Sequence, residues 1–180
     1  MKMRCFVAVD LDSRLEEAVE SLQKKITGDV KLVEKNNLHF TLKFLGDIDE
    51  KTAEKAKSTL DRIADSTKPF SITISGIGAF PNEKFVRVIW IGADNNDRDF
   101  LSLHRTVDDE LADIAKKEKP VPHLTLARVR EQSASIQDFI SNNRNAEIGS
   151  MIVDRIKLKK STLSRSGPVY EDVAVFGLKK

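Results

Sequence analysis

The chain is poor in cysteine, in backbone breakers and in charge of one sign. Cys5 is the only cysteine in 180 residues, which excludes an internal disulfide framework and a zinc site built on cysteine clusters. It stands in the apolar run from Cys5 to Val9 and reads as a buried thiol. Five prolines and eight glycines are too few for a linker or a fibrous chain. A hydrophobic share of 40% is too high for a disordered one. No stretch approaches the ~18 apolar residues of a membrane span. The N-terminal apolar run is too short for a signal peptide and ends at Asp10. With few cysteines and no export signal, the expected location is the cytoplasm, with no membrane partner. Thirty Lys+Arg against 28 Asp+Glu leave a net charge of only +2. Bulk charge therefore does not grip nucleic acid, and a nucleic-acid ligand has to be met at a local site.

What is present is a regular mixture of strand and helix patterns, expected to form one domain over residues 1–180. Arg4 to Leu11 reads as a strand. A helix follows, opened by a Ser13–Glu16 capping box, with Leu15, Val19, Leu22 and Ile26 at helical spacing and Gly28 at its end. Strands are expected at 30–33, 38–46, 69–77 and 85–92, with a helix from about Glu50 to Ala64 between the second and third. A third helix is expected from Asp97 to Lys117, then a strand from His123 to Arg130 and a short helix carrying Ile136, Phe139 and Ile140. Two strands, at about 151–160 and 169–177, close the chain around a Ser-Arg-Ser-Gly-Pro turn. The class is α/β or α+β with antiparallel pairing in part.

One pattern occurs twice. Leu-His-Phe-Thr-Leu-Lys-Phe-Leu (38–45) and Pro-His-Leu-Thr-Leu-Ala-Arg-Val (122–129) share His–apolar–Thr–apolar, nearly half a chain length apart. An internal duplication explains this economically, with two similar lobes facing each other across a cleft. On a strand, residues i and i+2 share a face. His39 with Thr41, and His123 with Thr125, thus each offer an imidazole and a hydroxyl to one side. Two imidazoles that titrate near neutrality can divide acid and base work, and two hydroxyls can hold phosphate oxygens where charge gathers. Such an in-line displacement at phosphorus needs no metal and no cofactor. A single His–x–Thr on a strand is usually an ordinary sheet face. Two of the chain's three histidines repeating it point to function. The third, His104, reads as a partly buried helix residue. Lys43 falls by alternation on the face of His39 and Thr41, as a site residue or as a solvated lysine at the rim.

These motifs and their flanks resemble the 2H phosphoesterase superfamily, and within it the RNA 2′,3′-cyclic phosphodiesterases, also called 2′-5′ RNA ligases. The likeness extends over Arg-Cys-Phe-Val-Ala-Val-Asp at the start, Gly-Ala-Phe-Pro-Asn (78–82), Trp90 and Gly-Pro-Val-Tyr-Glu (167–171). The resemblance implies an α+β, bilobal fold with two pseudo-symmetric lobes and the site between them. It implies that His39 donates a proton to the leaving 3′ oxygen and His123 activates water. Thr41 and Thr125 would then hold the phosphate of an RNA 2′,3′-cyclic end, opened to a 2′-phosphate. With a 5′-hydroxyl RNA end as partner, reverse ligation would give a 2′-5′ linkage. Arg128 matches an arginine that contacts the phosphate in relatives, although strict alternation sends it to the opposite face unless the strand bulges. Phe6 matches an aromatic that stacks on a base, with a core phenylalanine as the alternative. Tyr170 reads mainly as a strand-packing residue. Many relatives carry a tryptophan where Leu32 stands. RNA ends, including tRNA halves, are the expected partners of a monomer. A small cyclic nucleotide or ADP-ribose cyclic phosphate as substrate, and a non-catalytic RNA-end binder, are the alternatives.

Overall fold

The computed structural model describes residues 2–94, 98–165 and 167–179. The run from Cys5 to Val9 forms the middle of β1 (Met3–Asp10) and is buried throughout, so both faces of this strand are covered. The next turn is capped by Asp12 rather than by the expected Ser13–Glu16 pair. Its carboxylate accepts the Arg14 backbone N–H at 2.9 Å and opens a 3₁₀ turn (Ser13–Leu15) that leads into α1 (Glu16–Gln23). Then come β2 (Val30–Leu32) and β3 (His39–Ile48). α2 (Glu50–Ser66) starts at Asp49, whose side chain accepts the Thr52 N–H, and buries Ala53, Ala56, Leu60 and Ile63 as its spacing predicts. β4 (Phe70–Pro81), β5 (Val86–Asp94), α3 (Asp99–Glu110), β6 (His123–Val129) and α4 (Ala134–Asn142) follow. The expected strand near 151–160 is two strands, β7 (Glu147–Val153) and β8 (Arg155–Leu163), separated at Asp154; β9 (Pro168–Gly177) is last. The expected third-helix start at Asp97, and Ser166 in the last turn, lie outside the described residues. Among the described residues no helix is long and apolar enough to cross a membrane.

All nine strands form one antiparallel sheet in the order β7-β4-β5-β6-β3-β1-β8-β9, with β2 pairing β6. The class is α+β, and the two-lobed symmetry is present in a form the sequence pattern does not show. The order is symmetric about the β6–β3 seam, so β3, β1, β8 and β9 match β6, β5, β4 and β7. The lobes are therefore halves of a single curled sheet. They are also not the two halves of the chain: β4 precedes β5 but belongs to the second lobe, and the C-terminal hairpin β8–β9 returns to the first. Across the seam one pair is formed, Phe40 opposite Leu124, both fully buried. Phe100 of α3 lies edge-on to Phe40 with ring centroids 5.4 Å apart, so the helices pack on the face that Phe40 and Leu124 share.

Both central strands bulge at the same place. β1 residues Val7 and Ala8 face Lys43 and Thr41, which leaves Leu42 as an extra residue on β3. β5 residues Ile89 and Trp90 face Ala127 and Thr125, which leaves Leu126 extra on β6. An extra residue reverses the alternation beyond it. Lys43 is thereby turned away from His39 and Thr41, which corrects its expected place on their face. It is buried on the helix side, where its Nζ donates to Asp108 Oδ1 of α3 at 2.5 Å and to the Lys116 carbonyl at 3.2 Å. A buried pair of this kind adds little net stability, but breaking it strands a charge. Lys43→Met should cost about 3–5 kcal/mol in urea unfolding, and adding Asp108→Leu should recover most of it. A single variant as stable as the parent would show that the pair is not desolvated.

Candidate active site

Each motif histidine begins its strand just after a turn, and the same local device orients both rings. His39 Nδ1–H donates to the Asn37 carbonyl at 2.7 Å, and His123 Nδ1–H donates to the Val121 carbonyl at 2.6 Å. A carbonyl can only accept, so Nδ1 carries the proton and Nε2 is the nitrogen left for chemistry. His39 Nε2 lies 3.0 Å from Thr41 Oγ1. Continuing the Phe40–Leu124 register by one residue each way sets Thr125 across from His39 and His123 across from Thr41. The four polar side chains thus share one face of two adjacent strands, opposite to Phe40 and Leu124. The local two-fold of the antiparallel pair exchanges one motif with the other.

The paired bulges decide what surrounds them. The reversal after Leu126 brings Arg128 onto the face of His123 and Thr125, exposed at the rim. The reversal after Leu42 brings Phe44 to the equivalent place in the other lobe, 56% exposed, with its ring 6.1 Å from Phe6. Phe6 is buried, so it is not free of the core, but its ring lies 5.0 Å from His39 and 4.9 Å from Tyr170. Tyr170, expected as a packing residue of its strand, stands edge-on to His39 at 5.2 Å and belongs to the site wall. In the second lobe Phe80 stands edge-on to His123 at 4.8 Å and Trp90 lies 6.1 Å away. Trp90 lies on Gly78, where an added Cβ would come within 2.3 Å of the indole. Gly78 therefore has a packing reason to be glycine. Leu32 is exposed on β2, across from Ala127. Phe44, Phe80 and Asp10 escape sequence reasoning. The only available signal for Asp10 is that it ends the first apolar run; it lies across the ladder from His39.

Burial governs the titration of both imidazoles. His39 keeps an exposed edge, but its aromatic neighbours strip away solvent, and this lowers its pKa to about 4. The Asn37 carbonyl and the Asp10 carboxylate oppose that shift, while Lys159 and His123 add to it. Burial also lowers His123, partly offset by its bond to Val121. His104 is buried under the first lobe with its Nδ1 unpartnered and is lowered to about 4 as well. Next to the site, Lys159 and Lys157 each bridge Asp10 and Asp172, so these four charges neutralise one another. Among the described residues no three His, Cys, Asp or Glu side chains come together in a way that could hold a metal ion. Neither histidine lines the cavities of about 530 and 610 Å³ found elsewhere on the molecule.

A curled antiparallel sheet with two His–x–Thr–x strands meeting at its centre defines a class of phosphoesterases, and sequence comparison agrees. The LigT-like phosphoesterase family matches this chain twice, over residues 9–90 and 91–170. The chain belongs to that family. It is 41% identical over 175 residues to the RNA 2′,3′-cyclic phosphodiesterase of Methanocaldococcus jannaschii, covering 94% of this chain and 97% of that one. It is 39% identical over 185 residues to the enzyme of the same description from Methanothermobacter thermautotrophicus, covering 99% and 100%. Among solved structures, a Thermus thermophilus protein superposes with a TM-score of 0.84 at 29% identity, covering 98% of both chains.

The histidines make stability depend on pH. The unfolded chain takes up protons near pH 6.5, whereas His39 and His104 do so in the folded protein only near 4. Their contribution to stability is fully present above about pH 6.5 and is lost as pH falls toward 4, by on the order of 3 kcal/mol each. Urea unfolding between pH 7.5 and 4.5 should show this decline, and His104→Leu should flatten it. A slope unchanged by that substitution would contradict the burial of His104 as a neutral ring.

Proposed function

We propose that this protein hydrolyses RNA 2′,3′-cyclic phosphate ends to 2′-phosphomonoesters, with His39 and His123 as its acid and base. The observation that carries the reading is the pairing of the two motifs on one face, with each Nδ1 held by a carbonyl, so that acid–base work falls to Nε2, beside Thr41 Oγ1 in the first motif. The relatives described above, which carry the name RNA 2′,3′-cyclic phosphodiesterase, support it. His123 Nε2 takes a proton from water as the water oxygen attacks phosphorus. The P–O3′ bond breaks in line, and His39 Nε2–H delivers its proton to the departing O3′. The products are a 2′-phosphate and a 3′-hydroxyl. His39 then regains a proton and His123 loses one to solvent. Thr41, Thr125 and Arg128 hold the non-bridging oxygens as charge builds on them.

His39 in the empty site is a poor proton carrier, and the substrate corrects this. A phosphodiester anion within about 4–6 Å favours an imidazolium by about 1–3 pKa units, which brings His39 toward the working range as the complex forms. The Asp10 carboxylate acts in the same direction. Tyr170, beside the leaving-group histidine, and the exposed Phe44 offer aromatic surface to the terminal nucleoside, with the buried Phe6 as their backing. A 5′-hydroxyl in place of water would attack from the His123 side and break the same P–O3′ bond. It would leave a 2′-5′ linkage, with acid and base in unchanged roles.

The test is product analysis on a panel of cyclic phosphates, from mononucleosides to tRNA halves, with and without a chelator. Only 2′-phosphate ends should form, at a rate the chelator does not alter. His39→Ala and His123→Ala should each lower kcat by about 10²–10⁴ or more while RNA binding persists. A 3′-phosphate product would reverse the assigned geometry, and near-normal turnover by either variant would end the two-histidine mechanism.

A further inference from the structure

The face that carries the histidines holds two arginines that no carboxylate neutralises. Lys157 and Lys159 are consumed by Asp10 and Asp172 at 2.7–2.8 Å. Arg128 and Arg4 are exposed, and neither side chain makes an ion pair or hydrogen bond with another described residue. Arg128 is accounted for by the reacting phosphate. Arg4 is not.

The direction of Arg4 follows from its strand. The extra residues in the β1–β3 ladder are all on β3, so β1 alternates without interruption, and Arg4, Phe6, Ala8 and Asp10 share one face. Ala8 is across from Thr41, at the level of the reacting groups. Phe6 is the next position on that face and touches the rings of His39 and Tyr170. Arg4 is one step further, about 13 Å from Ala8 along the strand. An extended arginine side chain reaching back covers much of that distance and comes within roughly one nucleotide step of the scissile phosphorus. Asp47 stands across the ladder from Arg4, but their side chains make no ion pair.

Tyr170 marks the same spot from β9. Its hydroxyl makes no hydrogen bond to a described residue. Burial raises its pKa, and the positive charges of Arg128, Arg4 and Lys159 act against that rise. The ladders set Arg4, Ser161 and Tyr170 in one row across β1, β8 and β9, and of the three cations acting on this phenol only Lys159 has acidic partners.

We propose that Arg4 and the Tyr170 hydroxyl bind the backbone phosphate on the 5′ side of the terminal nucleotide. The site then prefers the end of a polynucleotide to a mononucleoside cyclic phosphate, which has no such phosphate to offer. The guanidinium fork matches the two non-bridging oxygens of a phosphodiester, and the phenol donates to one of them. Phe6, lying between this locus and the histidines, is buried and backs the rings of His39 and Tyr170 that line the path between the two phosphates. The assignment rests on the phosphodiesterase reading above.

The experiment compares the parent protein, Arg4→Ala and Arg4→Lys on a cyclic-phosphate-ended oligoribonucleotide and on a mononucleoside 2′,3′-cyclic phosphate, across a range of salt. Arg4→Ala should lower kcat/KM for the oligonucleotide about tenfold, mainly through KM, and far less for the mononucleoside. The slope of log KM against log salt should fall by about 0.7, the loss of one phosphate contact on a single strand. Arg4→Lys should retain the slope and part of the affinity. Equal losses on both substrates, or an unchanged salt slope, would overturn the assignment. If the parent cleaves neither substrate, the phosphodiesterase reading falls. Salt dependence of oligonucleotide binding, followed by fluorescence anisotropy, then still decides whether Arg4 meets a phosphate.

Discussion

The site depends on the backbone meeting of β3 and β6, where Phe40 and Leu124 face each other and both side chains are withdrawn into the core. Because strand side chains alternate, sending these two to the helix side obliges His39, Thr41, His123 and Thr125 to face the other way. An antiparallel pair carries its own two-fold axis, so two copies of one short motif suffice to build a site with matching groups on both sides of a phosphorus atom. The apolar positions of the motif thus do as much for the chemistry as the polar ones. They decide which face the imidazoles occupy, and Phe100 packed against Phe40 holds that decision in place.

The symmetry stops where the chemistry must become directional. At the residue that each bulge turns toward the site, one lobe presents Phe44 and the other Arg128. Across the ladder from the histidines, one lobe has Asp10 and the other Gly92. Both histidines have aromatic neighbours, but the differences give the His39 side a carboxylate and an exposed phenylalanine, and the His123 side an exposed arginine. A substrate with a nucleoside on one side of phosphorus and a small nucleophile on the other is read in one orientation by such a site. The low pKa of the empty site belongs to the same design. Apolar walls keep the imidazoles neutral until an anion arrives, and the same walls strengthen every hydrogen bond to that anion.

Much of this was open to sequence reasoning. The two motifs, their strand context and the family likeness led to His39, Thr41, His123 and Thr125. Helical spacing located α2 and its buried face within a few residues. Lys43 was misplaced by strict alternation, whereas Arg128 was expected at the site on the condition that its strand bulges. A bulge is set by how two strands meet, with no residue signature in either Thr-Leu-Lys-Phe or Thr-Leu-Ala-Arg. An extra residue at the matching place in each motif, Leu42 and Leu126, removes Lys43 from the site and brings Arg128 into it. Tyr170 looked like a packing residue because its neighbours in sequence are strand residues, whereas its neighbours in space include His39 and Phe6.

The amino-acid sequence by itself determined the chemical groups and their local pairing on strands, because a two-residue period and a repeated motif are properties of short segments. The tertiary structure alone decided that the lobes are one sheet, that the C-terminal hairpin returns to the first lobe, and that β9 brings Tyr170 to His39. It also decided that Lys43, which directly follows the first motif, turns to the helix side, and that Arg128, two residues after the second, turns to the face of the histidines. Those outcomes depend on register and curl between segments far apart in the chain, and register is settled by the packing of whole faces rather than by any one residue.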